Sequence, residues 1–405
     1  MIVKITPKRK NMFVALTIRM LMLLMIALFA EKLPAYGFIG NTADYDDYRY
    51  EQGAVMYAEQ ANGIIDVEAF TRIFDSMGDW TGHHLQPERI LTEGCLWYWI
   101  VCILTYLTKW RWWIRILNIV LSVFITKYVY ELAEVLFSEK TAKTASLVYA
   151  IFPYSVVFTC FSYKDTLVSF CILYIVLFSI RAKRKYLYTK RDVVGLIVTC
   201  MVFVLTRSGL SEIWIGLCLL YYLEVGRRIP AKKVLGIFFL IVFGLIMTVE
   251  IWDLLLYKFL AYTGNSTMEG LSGGALVKIT RIQDIWKLPF TVLFSIIQPI
   301  GFSGKIDSWY SLVRHCNIIM CPIAISAILE VVTRRRNDKF LSIILLGFYT
   351  LCSVTSVLIF RQLFSVWPIP VIYGCNYLTH SKADKIILVI GVSIILSVAL
   401  IAVVR

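Results

Sequence analysis

The segment NTADYDDYRYEQGA, residues 41–54, places four acidic residues within fourteen positions of a chain that is otherwise mostly apolar. Asp44, Asp46 and Asp47 stand close together in it, and Arg49 follows. A carboxylate within hydrogen-bond reach of a hydroxyl can take its proton, and two carboxylates beside a phosphate can hold Mg²⁺ or Mn²⁺. The segment is therefore the first candidate for chemistry, with a simple solvated loop as the alternative.

Cationic side chains recur at the ends of later apolar runs. SYKD contains Lys164 and Asp165, TRSGLSE contains Arg207, and FRQLFSVWPIP contains Arg361, while Arg281 lies in a longer polar segment. A guanidinium can meet two phosphate oxygens at once. Carboxylates and cations on one face would suit a substrate that has a phosphate and a hydroxyl that must lose a proton. Taken singly, such residues also fit turns and headgroup anchors, because long cationic side chains reach toward lipid phosphates.

The composition indicates the surroundings of these residues. Of 405 residues, 59% are hydrophobic and 17% are charged, and the mean hydropathy is +0.72. Apolar runs near 20 residues recur, which is typical of membrane-spanning helices. We predict an all-α, polytopic membrane protein with about eleven spans, organised as one integral domain over residues 1–405. The first apolar run is predicted to be a retained span rather than a cleaved signal peptide.

The net charge of +14 does not indicate a nucleic-acid partner. The positive charge gathers between apolar runs, at residues 8–10, 181–185, 226–233 and 334–339. That arrangement is typical of cytoplasmic loops. The ten cysteines lie mostly within apolar runs and show no metal-ligand spacing, so they are interpreted as packing residues.

The positions of the basic clusters predict which segments cross the membrane, because such clusters are expected to lie on the same side. The basic clusters at 8–10 and 181–185 require an even number of crossings between them, so residues 94–109 are predicted to lie at the outer interface instead of crossing. The same reasoning makes 285–303 interfacial or re-entrant. Two large outer loops result, 31–114 and 253–311. The predicted spans are 11–30, 115–136, 143–160, 166–181, 193–206, 210–225, 232–252, 312–333, 339–359, 363–379 and 385–404.

Several motifs in this order resemble the GT-C glycosyltransferases, a group that includes aminoarabinose transferases and protein O-mannosyltransferases. DDYRYEQGA (46–54) resembles their first-loop signature of two acidic residues, any residue, Arg and Tyr. Residues 96–153 are similar to the next block of the family, SYKD to its second outer turn, and FRQLFSVWPIP to its late arginine. The acidic pair here is Asp-Asp instead of Asp-Glu, the Pro-Pro before the Tyr-Trp helix is missing, and we expect no large soluble C-terminal domain.

The resemblance implies a transferase that takes a sugar from a polyprenyl-phosphate carrier on the outer face of the membrane, with a glycan, lipid or protein as acceptor. It also implies a GT-C-like fold and a metal requirement that stays open between Mg²⁺, Mn²⁺ and none. The absence of organelle retention signals and the compact size favour a bacterial cytoplasmic membrane, with the site facing outward, over the endoplasmic reticulum. The roles that follow for individual residues are a base or second carboxylate (Asp46, Asp47, Asp165), donor-phosphate binding (Lys164, Arg361, Arg281, Arg207), and acceptor or first-loop support (Asp44, Arg49, Tyr50, His84).

Two other functions remain open from the sequence. An O-antigen or capsule-type polysaccharide polymerase would also use a lipid-linked donor and outer arginines. A flippase or transporter of lipid-linked sugars would need charges near the bilayer midplane, where Arg19, Lys127 and Glu131 are the candidates. Acidic character in the first loop favours the single-sugar transferase.

Overall fold

The computed structural model describes residues 6–39, 46–76, 95–184, 189–207, 210–223, 308–316, 320–333, 339–355 and 363–404. Every regular element in these ranges is helical. The contacts of the chain form two compact units, Met1–Ile215 with Gly304–Val313, and Gly216–Ser303 with Arg314–Arg405. The predicted single integral domain stays a prediction.

Three helices of the first unit are long and apolar enough to cross a membrane. They are α1 (Pro7–Lys32), α5 (Trp113–Leu136) and α8 (Asp165–Lys183), where the sequence predicted spans. The local sequence sets the start of α1, because the Thr6 hydroxyl accepts from the Arg9 amide and Pro7 occupies the first helical position. These helices support an association with a lipid bilayer. The further predicted spans, up to eleven in all, remain predictions.

The predicted first outer loop contains three shorter helices, α2 (Asp46–Gln60), α3 (Val67–Ser76) and α4 (Leu96–Thr108). They pack through aromatic side chains, with Phe70 stacked on Trp99 at a centroid distance of 4.0 Å. At 13 residues, α4 is about 20 Å long, shorter than the roughly 30 Å hydrocarbon core. Its length therefore agrees with the prediction that 94–109 does not cross.

The predicted span 143–160 is two helices, α6 (Glu139–Ile151) and α7 (Pro153–Phe158). Pro153 has no N–H to donate to the Tyr149 carbonyl, so the helix breaks there. The buried guanidinium of Arg19, from the middle of α1, takes over this role. It donates to the carbonyls of Ala150 at 2.8 Å and Tyr149 at 3.4 Å, and to the Thr159 hydroxyl at 2.9 Å.

The first unit continues with α9 (Lys190–Thr206), which begins at a capping box between Thr189 and Asp192, and with the start of α10 (Leu210–Tyr222), whose residues from Gly216 onward belong to the second unit. The first unit also includes the start of α11 (Trp309–Cys316). The Trp309 indole donates to the Tyr36 carbonyl at 2.6 Å, just after α1. The segment after α1 is thus fixed by a residue distant in sequence.

The second unit contains α12 (Met320–Thr333), α13 (Lys339–Thr355), α14 (Pro368–His380) and α15 (Ala383–Val404). Helices α12 and α14 approach closely, because Gly374 lies against the Ile323 backbone with no room for a Cβ. The Asn376 amide donates to the buried Glu330 carboxylate at 2.8 Å. Most of the predicted second outer loop, 253–307, lies outside the described residues.

Candidate functional site

The two aspartates at the start of α2 have different surroundings. Both stand in its first turn, where acidic side chains complement the positive end of the helix dipole. Asp46 is half-buried, whereas Asp47 is completely buried. An exchangeable molecule from solvent can therefore reach Asp46 but not Asp47 in this arrangement.

The Asp47 side chain is held by donors from two other segments. The Ile39 amide donates to Oδ2 at 2.7 Å, and the Tyr163 hydroxyl donates to Oδ1 at 3.2 Å. The Ser162 hydroxyl donates to the Asp47 backbone carbonyl at 3.0 Å. Asp47 thus joins the start of α2 both to the segment after α1 and to the turn before α8.

Burial raises the pKa of Asp47 from its ordinary value to about 7. Desolvation disfavours the charged carboxylate and is the largest cause. The nearby Glu51 carboxylate also raises this pKa, while the Ile39 amide, the Arg115 guanidinium and the Tyr163 hydroxyl oppose the rise. Near neutral pH the buried group is therefore divided between its neutral and charged forms.

One turn further along α2, Glu51 forms a buried ion pair with Arg115 of α5. Arg115 Nε and Nη2 reach the two carboxylate oxygens at 2.6 and 3.0 Å, and neither side chain is exposed. The same guanidinium donates to the Gly37 carbonyl and lies 4.7 Å from the Trp112 ring centroid. This pair fixes α2 against the start of α5.

The turn at residues 161–163 is held from two further helices. The Trp97 indole of α4 donates to the Ser162 carbonyl at 2.8 Å. The Asn118 amide of α5 donates to the carbonyls of Phe161 at 2.6 Å and Tyr163 at 3.0 Å. The turn leads directly into Lys164 and Asp165 at the start of α8, so its anchoring also fixes where these two residues begin.

Asp165 and Arg207 form an ion pair. Arg207 Nη1 lies 2.9 Å from Asp165 Oδ1, with the carboxylate almost completely buried and the arginine side chain 22% exposed. The pair connects the start of α8 to the end of α9. A half-buried Lys164 stands beside it in the chain. Together these residues place two cations and one carboxylate at one end of α8.

The structure therefore connects several predicted site residues through the turn at 161–163. Asp47 touches this turn, Lys164 and Asp165 follow it, and Arg207 pairs with Asp165. Tyr50 packs its ring 4.7 Å from that of Tyr98, in keeping with a supporting role, and Arg49 is half-buried on the same helix. Outside the described residues lie Asp44, His84, Arg281 and Arg361.

The carboxylates of this region do not fit a divalent cation site. Within the described ranges, no group of three or more His, Cys, Asp or Glu residues could hold a metal ion. Glu51 gives both oxygens to Arg115, and Asp47 accepts hydrogen bonds on both of its oxygens. Hard cations need several free oxygen ligands, which these two carboxylates do not offer.

Four residues with a part in this arrangement were not singled out from the sequence. Glu51 lies within the quoted acidic segment, and its position one turn after Asp47 was a usable signal. Arg115 ends the stretch TKWRWWIR (108–115), which follows the predicted interfacial segment 94–109. Trp110 and Trp113 in this stretch are exposed, but Arg115 is buried. For Asn118 and Tyr163 the sequence offers no signal, because Asn118 donates to backbone carbonyls and Tyr163 to the Asp47 carboxylate, all distant in sequence.

Comparison with known proteins finds no family model, curated protein or solved structure that matches this chain.

Proposed function

We propose that this chain is an integral membrane glycosyltransferase that moves a sugar from a polyprenyl-phosphate carrier to a glycan, lipid or protein acceptor. The observation that carries the proposal is the junction between α2 and the turn before α8. It connects the acidic pair of the first loop to Lys164, Asp165 and Arg207 through two hydrogen bonds from Ser162 and Tyr163. Proton acceptor and phosphate-binding cations thus belong to one connected structure.

In this proposal Asp46 is the base. Its half-buried carboxylate is accessible to an acceptor hydroxyl, and it takes the hydroxyl proton as the acceptor oxygen attacks the anomeric carbon. A new bond forms between that carbon and the acceptor oxygen, and the bond to the carrier phosphate oxygen breaks. The phosphate leaves with the bonding electrons and remains on the lipid.

Lys164 and Arg207 receive the charge that grows on the departing phosphate. A fixed cation stabilises this charge more in the transition state than in the ground state. Arg207 is partly exposed and is oriented by Asp165, so the role of Asp165 in this mechanism is to hold the guanidinium. The carrier oligoprenyl tail would lie along the apolar helices, as its length and hydrophobicity require.

Asp47 is assigned a positioning role. Its oxygens point to Ile39 and Tyr163 and are inaccessible, so it orders the junction without contact to the acceptor. This separates the roles of the two aspartates. The accessibility of Asp46 supports its choice as the base.

The proposal includes the finer topology. We place about eleven spans in a bacterial cytoplasmic membrane, with the first loop and the turn before α8 facing outward. The three helices α1, α5 and α8 support such a location by their length and apolar character. Basic residues gather at the end opposite to the acidic junction in α1 (Lys8, Arg9 and Lys10) and α8 (Arg181 and Lys183), in keeping with the positive-inside rule for an outward-facing site. Arg115 of α5 lies at the junction instead, where Glu51 neutralises it.

The charges that favoured a transporter have structural partners. Arg19 binds backbone carbonyls at the break between α6 and α7. Lys127 and Glu131 lie one turn apart in α5 and contact each other at 3.9 Å. A transport pathway is therefore not needed to explain them.

The test is sugar transfer by the purified full-length chain, supplied with polyprenyl-phosphate sugars and scored by release of the carrier phosphate. We expect Asp46→Asn to lower the rate by roughly 10²- to 10⁴-fold, the usual contribution of a general base. Asp47→Asn is the matched variant, because the asparagine oxygen can accept from the Ile39 amide while its NH₂ group donates to the Tyr163 hydroxyl oxygen. It should retain most of the activity.

Full activity of Asp46→Asn, with the protein folded, would contradict the assignment of the base. Loss in Asp47→Asn alone would move the chemistry to the buried residue and overturn the division of roles. Release of phosphate with products that grow by whole repeating units would identify a polymerase instead. Absence of phosphate release with every donor tested would remove the transferase proposal.

A further inference from the structure

At the end of the first unit opposite to the acidic junction, three cations surround one carboxylate. Glu131 of α5 is contacted by Lys8 Nζ at 2.9 Å, by Arg181 Nη2 at 3.1 Å and by Lys127 Nζ at 3.9 Å. These residues belong to α1, α8 and α5, which are, within the part of the chain that the structure describes, the helices long and apolar enough to cross a membrane. We call Lys8, Lys127, Glu131 and Arg181 the Glu131 cluster.

The Glu131 cluster has more positive than negative charge, and its cations are accessible. The side chains of Lys8, Lys127 and Arg181 are 36%, 33% and 40% exposed, against 8% for Glu131. Arg181 is also within electrostatic range of Asp192, which is itself satisfied by Thr189. Further basic residues flank the cluster in the chain at Arg9, Lys10, Lys183, Arg184, Lys190 and Arg191.

Apolar surface lies beside these cations. Met12, one turn after Lys8 in α1, is half-buried, Leu16, one turn further on, is 39% exposed, and Val193, next to Asp192, is 43% exposed. A soluble anion would contact only the cationic side chains of the Glu131 cluster. A ligand with an anionic head and an acyl chain would cover both kinds of surface.

We propose that the Glu131 cluster binds the phosphate of an anionic phospholipid headgroup, with an acyl chain against the exposed apolar side chains of α1. Helix ends of this kind lie at the level of the headgroups when the helix spans a bilayer. Arg181 and Lys8 each keep N–H groups that point away from Glu131, because an ammonium has three donors and a guanidinium five. A phosphate can therefore bind while the contacts to Glu131 remain. The site is independent of the proposed sugar transfer.

The experiment measures binding of phosphatidylglycerol and of phosphatidylcholine to the full-length chain in detergent by native mass spectrometry over a range of lipid concentrations. We expect preference for phosphatidylglycerol. Arg181→Gln and Lys8→Gln should each weaken its binding about fivefold or more, as removal of one cation near an anionic lipid predicts. Arg181→Lys keeps a cation in place and should retain binding, which separates charge from folding.

Arg9→Gln is the matched control, because Arg9 is exposed and adjacent to Lys8 but is not part of the Glu131 cluster. It should change the affinity less than twofold. An equal loss in Arg9→Gln would show diffuse attraction and overturn the site. Equal binding of the two lipids would also overturn it, as would displacement of phosphatidylglycerol by equimolar inorganic phosphate. Circular dichroism and gel filtration establish that each variant is folded.

Discussion

The charged side chains at the two ends of α5 differ in their exposure to solvent. Near its start, Arg115 pairs with Glu51 where neither side chain is exposed. Near its other end, Glu131 faces three cations that are each about one-third exposed or more. The buried pair of Arg115 and Glu51 is a fixed part of the packing, whereas the Glu131 cluster can exchange partners with water or lipid. One helix thus has a rigid charged end and an adaptable one.

Desolvation explains the difference. A buried pair loses the hydration of both ions, and good geometry with additional hydrogen bonds must offset that loss. Arg115 meets this condition through Glu51, the Gly37 carbonyl and the Trp112 ring. At the Glu131 cluster water remains on the cations, so single contacts contribute little. Substitutions at the Arg115 end are therefore expected to change the folding stability strongly, and substitutions in the Glu131 cluster only weakly.

The largest expected effect is that of Glu51→Gln. It leaves the Arg115 charge buried without its carboxylate, which typically costs about 3–5 kcal/mol of folding stability. Thermal unfolding of the purified protein measures the loss. As a control, the double variant Glu51→Gln, Arg115→Met removes both charges and should recover part of the stability. Equal stability of the wild type and Glu51→Gln would contradict the claim that the buried Arg115 charge depends on Glu51.

The next effect is a pH dependence that comes from Asp47. Its pKa in the folded protein is raised to about 7 from an ordinary value of 3.8. The folded state therefore holds the proton more tightly, and the stabilisation is complete below about pH 4 and lost as the pH rises through 7. The difference is on the order of 4 kcal/mol.

Unfolding of the wild type and of Asp47→Asn from pH 4 to pH 8 measures this contribution. An asparagine does not titrate, so the difference in stability between the two proteins should follow the Asp47 proton and level off above pH 7. A difference that stays constant over this range would show that Asp47 does not titrate there.

The smallest expected effect is that of Glu131→Gln. Because its cations are hydrated, loss of the carboxylate should change the free energy of unfolding by about 1 kcal/mol or less, and high salt should reduce the change further. Thermal unfolding at low and high ionic strength measures it. A loss as large as that of Glu51→Gln would remove the distinction between the two ends.

The sequence predicted the long helices well, because the length of an apolar run directly indicates the length of the helix that it forms. Predicted spans 11–30, 115–136 and 166–181 correspond to α1, α5 and α8. The break in 143–160 was not predicted, although Pro153 within an apolar run was a signal for it. Helix α10, at 13 residues, is shorter than a span requires, so its crossing remains a prediction.

The candidate site was predictable only in part. Residue type and order indicated the acidic pair, Lys164, Asp165 and Arg207. The difference between Asp46 and Asp47 could not be derived, since adjacent aspartates in a first turn point in different directions that only packing decides. The ion pair of Glu51 and Arg115 joins residues 64 positions apart, and neither residue encodes its partner locally.

Arg19 has a consequence for how the protein is made. It stands in the middle of α1, where a charged side chain costs roughly 2.5–3.5 kcal/mol on insertion into a bilayer. Its partner Ala150 is 131 residues later in the chain, on the order of ten seconds of translation at ordinary rates. Before α6 and α7 are made, the Arg19 guanidinium can use the Ala15 carbonyl of its own helix, and the acceptors at the break between α6 and α7 become available only later in synthesis.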